Sequence, residues 1–269
     1  MIKNKKTHII YRSIYLVIGL IGIISSFGAF NGVYNPNWYL YYTNISNYFC
    51  FFTVLALLIH DVKAYRNGEK VGVSSIAPLF RFCVCVMIFI TFIVFNTLLT
   101  HPFSVEYWID LQSVIMHLIL PIMFILDYML FSKHRSVNVF APLFACIVPL
   151  IYVLYILIRA EVYLGTGRMI YPYFFLNVQY FGYGGVALWC LGIAAIVILV
   201  GYLFWMYDKL IKNDDGKLKL DFSPLPKPIK EECISKNNEI QSTNEQTEES
   251  IDVVSEGNKY TTEEITDND

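Results

Sequence analysis

Six stretches of this chain are apolar for long enough to cross a bilayer, and no other feature narrows the available folds as far. A hydrocarbon core of about 30 Å needs roughly 20 apolar residues in a helix. The stretches lie at about 14–30, 38–60, 80–99, 108–131, 138–159 and 182–206. Their length predicts helices, so the expected fold class is all-α: a polytopic membrane protein with six transmembrane helices in a bundle over residues 1–212. Lys3, Lys5 and Lys6 ahead of the first stretch imitate a signal peptide. The run is longer than a signal h-region and no A-x-A cleavage site follows it, so it reads as a span.

Charge divides the chain in two. Only 16% of the 269 residues are charged, against roughly 25% in soluble domains. Residues 213–269 hold 15 of the 22 acidic groups and 6 of the 20 basic ones, a net of −9. That segment is rich in Glu, Asn, Ser and Thr, carries Pro224, Pro226 and Pro228, and has almost no aromatic content. It cannot bury enough apolar area to offset ordering entropy, which predicts a disordered acidic tail. The remainder carries a net of +7 and is correspondingly more apolar. A soluble enzyme, a nucleic-acid binder and a disulfide-stapled secreted module are all disfavoured.

Basic residues sort by connection. Lys3, Lys5, Lys6 and Arg12 precede the first span, and Lys63, Arg66 and Lys70 join the second to the third. Lys133 and Arg135 join the fourth to the fifth, and Lys209 and Lys212 follow the sixth. The alternate loops contain Arg168 alone, so eleven basic residues face one. The positive-inside rule then predicts a multi-pass protein of the cell membrane with both termini, and the tail, in the cytoplasm.

No metal or cofactor is expected. Five of the six cysteines lie in apolar runs, Cys83 and Cys85 point to different helix faces, and no Cys/His cluster has zinc spacing. A transmembrane haem needs histidines at matched depth on facing helices. His60 falls at the inner end of its span, His117 in the outer half of another, and His101 nearer the outer surface.

The polar residues inside the spans gather in the outer half, with Asp127 the main exception. Span two opens with Tyr42, Thr43, Asn44, Ser46 and Asn47; span three ends with Asn96 and Thr97; span four begins with Asp110, Ser113 and His117. Intramembrane polar groups invite a functional reading. Thr43 and Asn47 share a helix face, as do Asp110, Ser113 and His117. Thr43 lies roughly 8 Å and His117 roughly 13 Å along their helices, close enough in depth to meet in a bundle. A threonine hydroxyl becomes nucleophilic when a base takes its proton, and neutral imidazole is the usual base near pH 7. Asp110 is about 10 Å along the axis from His117, too far to orient it, so Asn44, Asn47 or Asn96 on another helix is the expected orienter. Ordinary structural roles compete with this: a buried hydrogen-bonding histidine, and a threonine bonded to its own helix.

The segments Tyr42-Thr43-Asn44-Ile45-Ser46-Asn47, His117-Leu118-Ile119-Leu120-Pro121, Leu126-Asp127-Tyr128 and Tyr171-Pro172-Tyr173-Phe174 occur in this order along the chain. In that order, over about 38–210, the chain resembles the androgen-induced and androgen-dependent TFPI-regulating family of six-span membrane hydrolases. Gly182-Tyr183-Gly184-Gly185 is similar to the family's bacterial branch. The resemblance implies hydrolysis of fatty acid esters of hydroxy fatty acids, with Thr43 as nucleophile and His117 as base. Ser46-Asn47 after the threonine and the segment before His117 depart from the animal pattern. The lead expectation is therefore an integral membrane lipid-ester hydrolase. Its catalytic residues are Thr43 and His117, and Asn44, Asn47, Asn96, Ser113, Tyr171 and Tyr173 are the candidates for holding substrate or oxyanion. The partner is a membrane lipid, with no nucleic acid. The alternatives are a membrane protein that binds lipid or small molecules without turning them over, as a transporter or sensor, and a scaffold whose tail recruits a cytoplasmic partner.

Overall fold

The computed structural model describes residues 1–211 apart from 31, 75 and 101–104. His101 and the acidic tail thus lie outside the described residues. Among the described residues six helices are long and apolar enough to cross a membrane: α1 (Lys5–Ser26), α2 (Tyr42–Arg66), α3 (Pro78–Leu99), α4 (Leu111–Phe131), α5 (Ala141–Tyr163) and α6 (Val178–Leu210). The protein has the multi-pass all-α architecture that the apolar runs predict.

Several boundaries move outward from the apolar runs, and α1 shows why. Its buried residues include Lys5, His8, Arg12, Tyr15, Gly19, Gly22 and Ser26, a helical stripe that begins with charges. Its opposite face exposes Ile10, Ile14, Val17, Leu20, Ile21 and Ile24. Polar groups inside and aliphatics outside is the arrangement a lipid solvent favours. Hydropathy therefore dated the helix from its lipid-facing residues and missed its first turns. At the other extreme α6 is interrupted by Gly182, whose φ of 66° and ψ of 170° no helix contains; that left-handed region is accessible because glycine has no Cβ.

The ends of the bundle are set by main-chain contacts. Gly72 N–H donates to the Lys3 carbonyl at 2.7 Å, Lys133 N–H to Ser74 at 3.0 Å, and Arg135 N–H to Asp208 at 3.1 Å. The N-terminus, the α2–α3 connection, the α4–α5 connection and the end of α6 therefore share one end, here called the terminal end. At the opposite end the Tyr152 hydroxyl donates to the Leu40 carbonyl at 2.6 Å. Between them lies a core of Tyr15, Cys50, Phe82, Cys85, Met116, Phe124 and Phe204, and a second aromatic cluster of Tyr152, Tyr173, Phe175 and Leu176 sits at the opposite end.

Candidate functional site

The first turns of α2 are held by side chains. The first amides of any helix lack an internal acceptor, and that of Thr43 is taken by the Tyr173 hydroxyl at 3.3 Å. Asn44 Nδ2 donates to the Trp38 carbonyl at 2.9 Å, fixing the short turn that leads into the helix. Ser46 Oγ donates to the Thr43 carbonyl at 2.8 Å and meets Thr91 Oγ1 of α3 at 2.8 Å. Asn47 Nδ2 spends both hydrogens, on the Thr43 carbonyl at 2.8 Å and the Met116 carbonyl at 2.9 Å.

The Met116 carbonyl is available because α4 is not regular there. Residues Ile115–Ile119 form a π turn, and the Leu120 N–H bonds Ile115, five residues back. The next residue, Pro121, has no N–H to offer Met116 or His117. Two neighbouring helices fill the gap: Asn47 of α2 reaches Met116, and Asn96 Nδ2 of α3 reaches His117 at 3.1 Å. Asn96 also donates to its own Phe92 carbonyl at 2.7 Å. The Asn47 and Asn96 amides therefore serve the helix backbone in this conformation and have no hydrogen left for an oxyanion. Phe95–Leu99 of α3 is a second π turn, and the two turns meet where Phe95 stacks flat on His117, ring centroids 3.3 Å apart. Such bulges recur at functional sites.

His117 is oriented from its own helix. Its Nδ1 contacts the Ser113 carbonyl at 3.2 Å; a carbonyl only accepts, so Nδ1 carries the proton and Nε2 of the neutral ring keeps a lone pair. Nε2 is buried and has no partner. Ser113 Oγ in turn donates to Asp110 Oδ2 at 2.6 Å, so the stripe from Asp110 to His117 is one relay of contacts. The orienter expected from another helix is instead the carbonyl four residues earlier.

Thr43 lines a cavity of about 70 Å³ with Tyr42, Thr91, Tyr152, Tyr173 and Phe175. The Tyr173 hydroxyl touches the Thr43 side chain as well as its backbone, and burial pushes its pKa up to about 12. Tyr171 packs beside this cluster, and burial followed by Glu161 raises its hydroxyl too. His117 is absent from the lining, and no hydrogen bond joins it to Thr43. The structure thus brings Thr43 and Tyr173 together at the cavity, and places His117 of α4 outside its lining, tied by its helix backbone to Asn47 of α2 and Asn96 of α3.

A second polar centre, at the terminal end, has only Asp127 in common with the residues that sequence reasoning marked. Asp127 accepts from Arg12 Nε at 2.7 Å and from Arg81 at 2.5 Å. Asp61 accepts from Arg12 at 2.6 Å, Lys5 at 3.2 Å and His8 at 3.2 Å. Each of these side chains is at most 3% exposed. Lys5 and Arg12, counted as flanking charges in the sequence, are therefore interior ion-pair partners. His134 adds a buried contact to Asp208 at 3.1 Å. Among the described residues no three His, Cys, Asp or Glu side chains are arranged to hold a metal ion. Comparison with family models, curated proteins and solved structures returns no match, so the family resemblance rests on the motif residues alone.

Proposed function

We propose that the protein is a cell-membrane hydrolase of lipid esters, of the class in which a fatty acid esterifies a hydroxy fatty acid, with both termini cytoplasmic. The observation that carries this reading is His117. Its Nδ1 is held on a backbone carbonyl and its Nε2 lone pair is buried and unpartnered, on a helix that Asn47 ties directly to the carbonyl of Thr43. A positioned, unsatisfied imidazole is what a general base requires. Thr43 Oγ attacks the ester carbonyl carbon while its proton passes to His117 Nε2. The proton then goes to the departing alkoxide, and water hydrolyses the resulting acyl-threonine by the same route. Tyr173, a neutral phenol beside Thr43, is the donor for the carbonyl oxygen. Turnover requires the π turn that carries His117 to shift so that Nε2 reaches the Thr43 hydroxyl as the ester enters.

A second reading has its own support. The Thr43 cavity is lined almost entirely by apolar and aromatic side chains, and His117 stands outside it, which suits a protein that holds a lipid chain without cleaving it. Incubating the purified full chain with a panel of lipid esters separates the two. Release of free fatty acid that disappears in Thr43→Ala supports the hydrolase; saturable binding with no Thr43-dependent release supports the binding protein. The acidic tail is proposed to meet a cytoplasmic partner.

A further inference from the structure

A groove between α2 and α3 joins an apolar wall to one buried cation. It encloses about 500 Å³ and is lined by Phe49, Phe52, Leu57, Ile76 and Phe80 together with Arg81. Arg81 is the one charged residue in that lining, and it is only 2% exposed. Two of its guanidinium nitrogens are engaged, Nη1 with the Ser74 carbonyl at 3.4 Å and Nη2 with Asp127. Its Nε is buried without any hydrogen-bond partner. An unpaired donor on a buried cation is expensive to leave unmade.

Two further observations point the same way. The cluster behind Arg81 gathers the cations Lys5, Arg12 and Arg81 around the carboxylates Asp61 and Asp127. Its three fixed cations outnumber its two carboxylates. Arg81 also sits in the first turn of α3, where the cap residue Ala77 offers no side-chain acceptor, so the positive end of the helix dipole adds to the same field.

We propose that this groove binds a long-chain carboxylate, with the carboxylate on Arg81 Nε and the chain along the Phe49, Phe52 and Phe80 wall. The excess of cations calls for an anion, and the apolar lining for a hydrocarbon chain. The groove runs along α2 from Ile45 to Leu57, shares no lining residue with the Thr43 cavity, and does not depend on any hydrolytic activity there.

The test uses palmitate carrying a chain diazirine, photo-crosslinked to the full-length protein in neutral-lipid nanodiscs, with the adduct mapped by peptide. Adducts should fall on α2 and α3 within the groove. Unlabelled palmitate should compete, and methyl palmitate should compete at least about tenfold more weakly, the factor expected for one charge-assisted hydrogen bond. Arg81→Gln should lower labelling similarly, but it also breaks the Asp127 pair. Ala56→Phe is therefore the second variant: it fills the groove, which Ala56 lines, without touching the ion cluster, and it should abolish the adduct while leaving the unfolding midpoint unchanged. Equal competition by the methyl ester, adducts spread over all lipid-facing helices, or full labelling in Ala56→Phe would overturn the proposal. Competition by palmitoyl lysophosphatidate but not by palmitate would overturn the carboxylate assignment.

Discussion

Asn96 donates to the main-chain carbonyl of His117 at 3.1 Å, the oxygen whose usual helical partner would be the missing N–H of Pro121. The bond is thus a consequence of the proline, and it couples α3 to the one histidine in the interior of α4. Removing it leaves a carbonyl unpaired in a low-dielectric interior. Asn96→Leu should lower stability by about 1 kcal/mol, in the range found for hydrogen bonds between membrane helices. In a Pro121→Ala background the restored N–H gives the carbonyl another donor, so the same substitution should lose roughly half as much. Unfolding of the four proteins in mild detergent measures the coupling. Strictly additive losses would mean that proline and asparagine act independently.

The six spans and the polar opening of α2 were legible because they are properties of single segments. Hydropathy reports the lipid-facing stripe of each helix, and Thr43, Asn44, Ser46 and Asn47 stand out from an apolar run without reference to any neighbour. The ion cluster was not legible. Lys5, Arg12 and Asp61 occur near helix ends, where lysines and carboxylates ordinarily meet water, and only packing brings them to Asp127. The π turn was half legible: Pro121 announces that the His117 carbonyl loses its donor, but nothing in the sequence says that Leu120 bonds Ile115 and leaves Met116 bare, or that Asn47 and Asn96 supply the replacements. For the same reason a self-contained orienter for His117, the Ser113 carbonyl, went unforeseen.

Asp127 joins arginines from α1 and α3, and its loss would leave the buried Arg81 without a carboxylate while Arg12 kept only Asp61. Breaking a buried ion pair from one side typically costs about 3–5 kcal/mol. Asp127→Ala should therefore lower the detergent unfolding midpoint more than any other single change proposed here. Lys6, one turn from the same cluster but exposed, should tolerate alanine within about 0.5 kcal/mol. Equal effects of the two substitutions would show that the cluster is hydrated and weak.

The orientation prediction uses two exposed positions at opposite ends of the bundle, Lys6 and Thr166. In a cysteine-free background, Thr166→Cys should react with a membrane-impermeant maleimide on intact cells. Lys6→Cys should react only after permeabilisation. The reverse pattern would invert the deduced orientation, and labelling of both on intact cells would contradict the five crossings that separate them.

Tyr173 accepts the Thr43 N–H with its hydroxyl and lines the same cavity. Burial raises its pKa to about 12, so at neutral pH the phenol retains its proton and can donate to a developing oxyanion. A raised acid pKa favours the protonated form, so this contribution should not titrate in the neutral range. Tyr173→Phe keeps the ring and removes only the hydroxyl. If Tyr173 acts as the oxyanion donor, kcat for lipid-ester hydrolysis should fall by roughly 10²-fold, the usual effect of deleting one such donor, with little change in KM. His117→Gln should lower kcat by a similar or larger factor, and Thr43→Ala should remove both turnover and any acyl adduct. A donor to a lipid merely held in the cavity would behave differently: Tyr173→Phe would weaken binding and leave no rate to change. An unchanged kcat in Tyr173→Phe, with Thr43→Ala inactive, would move the oxyanion donor to another group, while an active Thr43→Ala would remove the nucleophile and the mechanism with it.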